Sequence, residues 1–281
     1  MSMRIVTTHD ELRAARAELS GPVGVVPTMG YLHAGHATLI DRACAECESV
    51  IVTLFVNPTQ FGPHEDFERY PRDFDRDREI CHDHGADLLY APSVEQVYQP
   101  GFVTRIEVGD LADRWEGASR PGHFTGVATV VTKLLNSTSA DRAYFGEKDF
   151  QQLQVIRRLV LDLDIPTEIV GCPTIRELDG LAMSSRNAYL TADERPRAAT
   201  IHQGLSDAQS ALASGTTSAT DLCGVISSEI ERGGLIVDYV AIVDPMSLRP
   251  IQKVDKEARA LVAARLGRIR LIDNVRLNPP S

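Results

Sequence analysis

A chain of 281 residues, 43% hydrophobic and 24% charged, has the composition of a water-soluble globular protein and the length for one large or two smaller domains. Its net charge of −10 and pI near 5.3 exclude a general attraction to nucleic acid or to an anionic membrane surface, so an anionic ligand has to be held by a local cluster of donors. No apolar run approaches a membrane span, the start MSMRIVTTHDELRAAR is too charged for a secretory signal, and five cysteines, an odd number, point to reduced thiols in a cytoplasmic protein.

In chain order, residues 23–26 form a short apolar run ending at Pro27, and residues 36–47 read as a helix. Cys44 and Cys47 make a C-x-x-C on one face of that helix. With no second thiol pair or histidine pair to complete a zinc site, packing is their expected role. Residues 50–56 (VIVTLFV) are continuously apolar, as expected of a strand covered on both faces. A charged helix over 73–84 stops at Gly85, a strand follows at 87–90, and 125–135 reads as an apolar helix. That helix is either core or a surface for a second copy. A strand over 142–145 leads into a helix over 149–161, whose Leu153, Ile156, Leu159 and Val160 recur at helical spacing, and 168–170 closes the series as a strand.

Alternating strands and helices of this kind predict an α/β fold, a Rossmann-like doubly wound parallel sheet with helices on both faces, over residues 1–175. The pattern then changes. A long helix is expected from Thr191, where Thr-Ala-Asp-Glu resembles a capping box. After a break at Gly215 a second helix runs to Arg232, and β-rich runs follow at 238–243, 260–264 and 269–272. Residues 176–281 therefore read as a smaller α+β domain.

Four segments carry the chemistry. Pro27-Thr-Met-Gly-Tyr-Leu-His-Ala-Gly-His36 follows the first buried strand and opens a helix, where a doubly wound sheet binds phosphate. Gly35 lets a phosphate approach the backbone, and His33 and His36 can donate to its oxygens, although capping of the helix is the plainer use of two histidines. Gly146-Glu-Lys-Asp149 lies between a strand and a helix and supplies Lys148 as a cation. Gln151 and Gln152 on the next turn offer amides to a hydroxy acid. Ala182-Met-Ser-Ser-Arg-Asn187 sets two hydroxyls before a fixed cation at the expected domain junction, a position suited to a phosphate-gripping loop. Asn57-Pro-Thr-Gln60-Phe61 follows the most apolar strand, either as a plain turn or as a platform for Gln60. Together these segments describe a nucleoside triphosphate site.

The H-x-G-H after a buried strand and the Ser-Ser-Arg loop after the sheet resemble the HIGH and KMSKS signatures of the nucleotidyltransferase superfamily. PTMGYLHAGH, FVNPTQF, YPRDFDRD, PGHFTGVATVV, YFGEKDFQQL and DGLAMSSRN, in that order, resemble the pantothenate synthetase family. The resemblance implies that ATP and (R)-pantoate give pantoyl adenylate and pyrophosphate, after which β-alanine displaces AMP. It also implies Mg2+ and a homodimer.

By the same resemblance, ATP contacts fall on Met29, Gly30, Tyr31, Leu32, His33, Ala34, Gly35 and His36, with His36 catalytic. Further contacts fall on Gly146, Glu147, Lys148 and Asp149, the last through the ribose, and on Ile175, Met183, Ser184, Ser185 and Arg186. Gln60 and Gln152 fall at the pantoate positions, Gln60 also lining that of β-alanine. Charge on the phosphate oxygens is expected to be shared by His33, His36, Lys148, Ser184, Ser185 and Arg186. Asp77 matches a magnesium position, although Arg76 stands where relatives carry an acidic residue. Two rivals remain at this point: a nucleotidyltransferase acting on a phosphate ester, and a silent nucleotide-sensing module. The acidic charge disfavours an RNA-binding role.

Overall fold

Val25 and Val26 are adjacent, both wholly buried, and belong to different hydrophobic clusters. Only a strand with helices on both faces does this, because successive side chains point to opposite sides of a sheet. The computed structural model of the chain describes residues 3–63 and 65–279. In it Val25 and Val26 lie in β2 (Val23–Thr28), near the middle of a six-stranded sheet with β1 (Arg4–Val6), β3 (Ser49–Leu54), β4 (Leu88–Tyr90), β5 (Arg142–Gly146) and β6 (Glu168–Cys172). The order is β1-β4-β3-β2-β5-β6 and every pairing is parallel. The longer helices of this part of the chain are α1 (His9–Glu18), α2 (Ala34–Glu46), α3 (Phe74–Asp83), α4 (His123–Thr138) and α5 (Phe150–Asp162). This is the Rossmann-like sheet that the sequence predicts.

Several boundaries differ from expectation for identifiable reasons. β1 and α1 carry no strong apolar pattern: β1 is three residues long with only Val6 buried, yet a Thr8–Glu11 capping box starts α1. β2 runs through Pro27 to Thr28, pairing with β3 at Pro27–Thr53 and Thr28–Leu54. On its other side β5 pairs with β2 only at Gly24 and Val25, so the proline's missing N–H costs no bond there. Eleven of the sixteen residues of α4 are buried, among them Val127, Val131 and Leu135, so this helix packs mainly into the core.

The chain divides into two units. Residues up to Glu147 with Gln151–Pro173 form the first, and Lys148–Phe150 with the chain from Thr174 form the second. The second holds an antiparallel sheet of β7 (Ile236–Val243), β8 (Ala258–Leu266) and β9 (Ile269–Leu277), in that order. With α6 (Thr200–Ala213) and α7 (Ala219–Arg232) it encloses a core that includes Ile201, Leu205, Leu222, Ile226 and Val262.

The long helix expected from Thr191 is split. Thr191 and Glu194 exchange the bonds of a capping box, but Pro196 has no N–H, and a short helix at Glu194–Ala198 precedes α6. After β7, Asp244 closes a turn by accepting from the backbone of Met246 and Ser247, the Ser247 hydroxyl and Lys256 Nζ at 2.9–3.2 Å. These partners hold its carboxyl down at about 2.

Candidate active site

In the first unit the strand order reverses between β2 and β5, with β3 and β4 on one side and β6 on the other. Their pairing ends at Val25–Ala143, while β2 continues to Thr28 and β5 to Gly146. A crevice therefore opens at the carboxyl ends of both strands, the place where a doubly wound sheet binds its ligand. Residues 29–36 leave β2 at this point, and Gly146 and Glu147 leave β5.

The first segment is built around helix α2. His33 is its N-cap: its Nδ1 accepts from the amide of Gly35 at 3.1 Å. His36 in turn accepts the amide of His33 on Nδ1 at 3.3 Å. This is a capping box made from two imidazoles, their ring centroids 4.1 Å apart. A neutral imidazole whose Nδ1 accepts must carry its proton on Nε2. Capping and chemistry are thus compatible: the backbone sets both tautomers and makes each Nε2 a donor atom at a helix N-terminus, where anions are favoured.

The turn before these histidines is held from α3. Gly30 and Tyr31 both have positive φ, +82° and +52°, and the Tyr31 value is one that a bulky side chain rarely adopts. Asp77 fixes them. Its two carboxylate oxygens accept from the amide of Tyr31 at 2.7 Å and that of Leu32 at 2.6 Å, and the residue is 2% exposed. A Cβ at Gly30 would sit 2.9 Å from Asp77 Oδ2. Burial pushes the Asp77 carboxyl upward against the pull of the two amides. The guanidinium of Arg76 lies over the Tyr31 ring at 5.3 Å. Both Asp77 oxygens thus serve the loop that leads into the histidines. Among the described residues no group of three or more His, Cys, Asp or Glu could hold a metal ion.

Gln60 ends a 3-10 turn, Pro58–Gln60, that Asn57 caps. The Asn57 oxygen accepts from Tyr98 Oη at 2.8 Å and Thr59 Oγ1 at 2.9 Å, so its nitrogen is the donor to Gly126 O and to Gln60 Oε1, both at 3.1 Å. With its oxygen engaged, Gln60 directs Nε2 towards Met29 Sδ, 3.0 Å away. The amide is oriented to offer N–H, which suits a carboxylate or carbinol oxygen. The sequence assigns no role to Tyr98, and for Asn57 it offers only the start of a turn at Asn-Pro, which the structure shows as the cap of the 3-10 turn.

Gln151 and Gln152 part company. Gln151 is buried and its amide is consumed by Leu111 O, Arg114 O and the Glu116 amide, so it holds a loop and is not a substrate contact. Gln152, on the first turn of α5, is half-buried and makes no such bonds among the described residues.

In the second unit, residues 175–183 form a tight hairpin around Gly180, whose φ is +88°. It sets Ile175 and Met183 opposite each other, the Met183 amide donating to Ile175 O at 2.9 Å. Arg176 anchors the hairpin through two bonds to Asp273, at 2.6 and 3.0 Å. Ser184 then caps a 3-10 turn, Ser185–Tyr189, by accepting from the Arg186 amide at 3.3 Å. Asn187 ties that turn to Glu177 Oε1 and Ala182 O. Lys148 belongs to this unit by packing. Its carbonyl accepts from Asn274 Nδ2 at 2.8 Å, and its Nζ lies 3.7 Å from Asp149.

A Rossmann-like sheet with donor-bearing histidines at its switch point is the framework of an enzyme that handles a nucleotide. The chain belongs to the pantoate-beta-alanine ligase family, whose family model matches residues 4–276. The pantothenate synthetase of Rhizorhabdus wittichii is 53% identical over 280 residues, 99% of each chain. The crystal structure of pantothenate synthetase from Thermus thermophilus superimposes with a TM-score of 0.95 at 49% identity, covering 99% of this chain and 100% of that one. The Francisella tularensis pantoate-beta-alanine ligase, solved in complex with beta-gamma ATP and beta-alanine, gives a TM-score of 0.83 at 36% identity over 98% and 97% of the two chains. The present chain is an ATP-using ligase that makes pantothenate from pantoate and β-alanine.

Proposed function

We propose that this ligase works through a pantoyl adenylate and that the residues described above carry its two steps. The observation that supports this most is the pair of histidines whose Nδ1 atoms accept backbone N–H, which puts the proton of each ring on Nε2 at the N-terminus of α2. In the first step a carboxylate oxygen of pantoate attacks the α-phosphorus of ATP. The new P–O bond forms as the bond to the β-phosphate bridging oxygen breaks, and pyrophosphate leaves. The carboxylate is ionised at neutral pH and needs no base, so the protein's work is alignment and stabilisation of charge on the phosphate oxygens.

His36 acts as the principal donor to the phosphates, with His33, Lys148, Ser184, Ser185 and Arg186. Residues 29–36 and 146–149 bind ATP, Asp149 taking the ribose, while Ile175 and Met183 lie against the adenine. Gln60 and Gln152 hold pantoate, and Gln60 lies beside the β-alanine position. In the second step the neutral amine of β-alanine attacks the acyl carbon, the C–O bond to the phosphate breaks, AMP leaves, and the nitrogen gives up one proton to water.

Mg2+ would be held by the phosphates of ATP and would neutralise part of their charge, while Asp77 shapes the ATP loop. Residues 1–175 form the nucleotide- and pantoate-binding domain, and 176–281 the domain that closes over the substrates. The protein works in the cytoplasm as a homodimer. Five free cysteines agree with a reducing compartment, and among the described residues no helix is long and apolar enough to cross a membrane.

The test is to incubate the protein with Mg-ATP and pantoate, with and without β-alanine, and to follow pyrophosphate, AMP and pantothenate. Pantoate-dependent exchange of pyrophosphate into ATP without β-alanine, and AMP release only with it, are expected. Amide formation without such exchange would remove the adenylate from the mechanism.

A further inference from the structure

The residue that sets the position of Gln60 lies neither in its own turn nor among the motif residues assigned above. The carbonyl of Gln60 meets Nδ1 of His123 at 2.8 Å. His123 is the first residue of α4, follows Gly122 at φ +83°, and is 8% exposed. Its other ring nitrogen, Nε2, lies 3.1 Å from Nη1 of Arg120. A guanidinium has donors only, so Nε2 must accept and the ring proton must sit on Nδ1, which then donates to the Gln60 carbonyl.

Arg120 is itself fixed. Its Nε and Nη2 donate to the two oxygens of Glu65 at 2.6 and 2.7 Å, and Nη2 also reaches the Gln60 carbonyl at 3.4 Å. Burial, assisted by the Arg120 charge, lowers the His123 ring to about 4, against the opposing influence of the Gln60 carbonyl, Glu65 and Glu116. The imidazole is neutral at physiological pH, in agreement with the tautomer that the geometry requires.

The Glu65–Arg120–His123 relay ends on a backbone atom of a residue whose side chain is already oriented by Asn57. The backbone beside it has no room to shift, because a Cβ at Gly126 would come within 2.4 Å of Thr59 O and 2.7 Å of the Gln60 amide. Gln60 is thereby held by His123 at its carbonyl and by Asn57 at its side chain, with α4 packed against its turn.

We propose that His123 is a positioning residue for pantoate: its Nδ1–H, oriented by Arg120, fixes the Gln60 backbone so that the Gln60 amide meets the hydroxy acid. The proposal rests on the pantoate-binding role given to Gln60, and the variants separate the two. Asn at 123 can place an amide N–H near the Nδ1 position, whereas Gln places its amide near Nε2 and leaves the Gln60 carbonyl without its shorter donor, keeping only Arg120 Nη2 at 3.4 Å.

The measurement is pantoate-dependent ATP–pyrophosphate exchange with the full-length enzyme for His123→Asn, His123→Gln, Gln60→Ala and the His123→Gln/Gln60→Ala double variant, with thermal midpoints recorded. H123Q is expected to raise the KM for pantoate about tenfold, the size of one lost buried hydrogen bond, while the KM for ATP stays within about twofold. H123N is expected to keep the pantoate KM within about twofold of the parent, and H123Q to add nothing on top of Q60A.

Equal effects of H123N and H123Q, a parallel rise in the ATP KM, or a full H123Q effect in the Q60A background would each overturn the proposal. An unchanged pantoate KM in Q60A itself would remove the Gln60 role, and the proposal with it. Should H123Q not fold, Arg120→Gln, which removes the fork that sets the tautomer, is expected to give the same pantoate-selective rise, and its absence counts against the proposal equally.

Discussion

Asp77 accepts the amide of Leu32 at 2.6 Å, and its second oxygen takes the amide of Tyr31. One carboxylate on α3 thus clamps the turn that leads into the paired histidines. An Asn side chain has the same shape but sets an NH2 group against one of those amides. Asp77→Asn is expected to lose about 1–3 kcal/mol of stability and to raise the KM for ATP about tenfold. The Mg2+ activation midpoint at saturating ATP is expected to stay in place. Thermal unfolding and a magnesium titration check this, and a tenfold shift of that midpoint would make Asp77 a ligand after all.

Lys148→Ala is expected to slow pantoate-dependent pyrophosphate exchange by about two to three orders of magnitude, comparable to the loss of one oxyanion donor. The readout is the single-turnover rate of adenylate formation. Near-parental turnover would take Lys148 out of the transition state.

Gln151 and Gln152 provide a matched pair. Gln151→Ala strips partners from Leu111 O, Arg114 O and the Glu116 amide, so it is expected to lower the unfolding free energy by about 1–3 kcal/mol. Gln152→Ala is expected to leave stability within about 0.5 kcal/mol and to raise the pantoate KM. Denaturant unfolding together with substrate kinetics separates the two, and the reverse pattern would exchange their roles.

Much of this architecture is legible in the sequence. Apolar runs of fixed length identify the central strands, because a strand buried on both faces has no room for polar residues. H-x-G-H and S-S-R can be read because they sit at element ends. The relationships among side chains are less visible. The clamp made by Asp77 is invisible because an acidic residue in a charged helix carries no local sign that its oxygens will meet two amides 45 and 46 residues away. Gln151 and Gln152 are neighbours of one type, and only the rotation of α5 decides which one the loop consumes. β1 escapes notice because a three-residue edge strand with one buried side chain has no periodicity to read.

Asp244 gives the fold a specific response to acid. Its carboxyl titrates at about 2 in the folded protein, below the ordinary 3.8, so its stabilising contribution is fully present above about pH 4–5 and is lost as pH falls through 2. Asp244→Asn is expected to destabilise the protein by about 2 kcal/mol at pH 7, and the difference from the parent is expected to shrink as pH falls towards 2 and to vanish below it. Chemical denaturation across that range measures it, and a gap independent of pH would assign the loss to packing.

Three residues, Lys148–Phe150, interrupt the first unit and pack with the second. The Lys148 carbonyl is met by Asn274, and the Phe150 ring lies 4.2 Å beneath the guanidinium of Arg259. A gene fragment starting at Thr174 would therefore encode the smaller unit without its plug, exposing one carbonyl partner and one cation that the intact chain covers. The two units are not modules that recombination could shuffle at a single seam. A proposed nucleotide-handling lysine packs with the smaller unit, from which a cut at Thr174 would separate it.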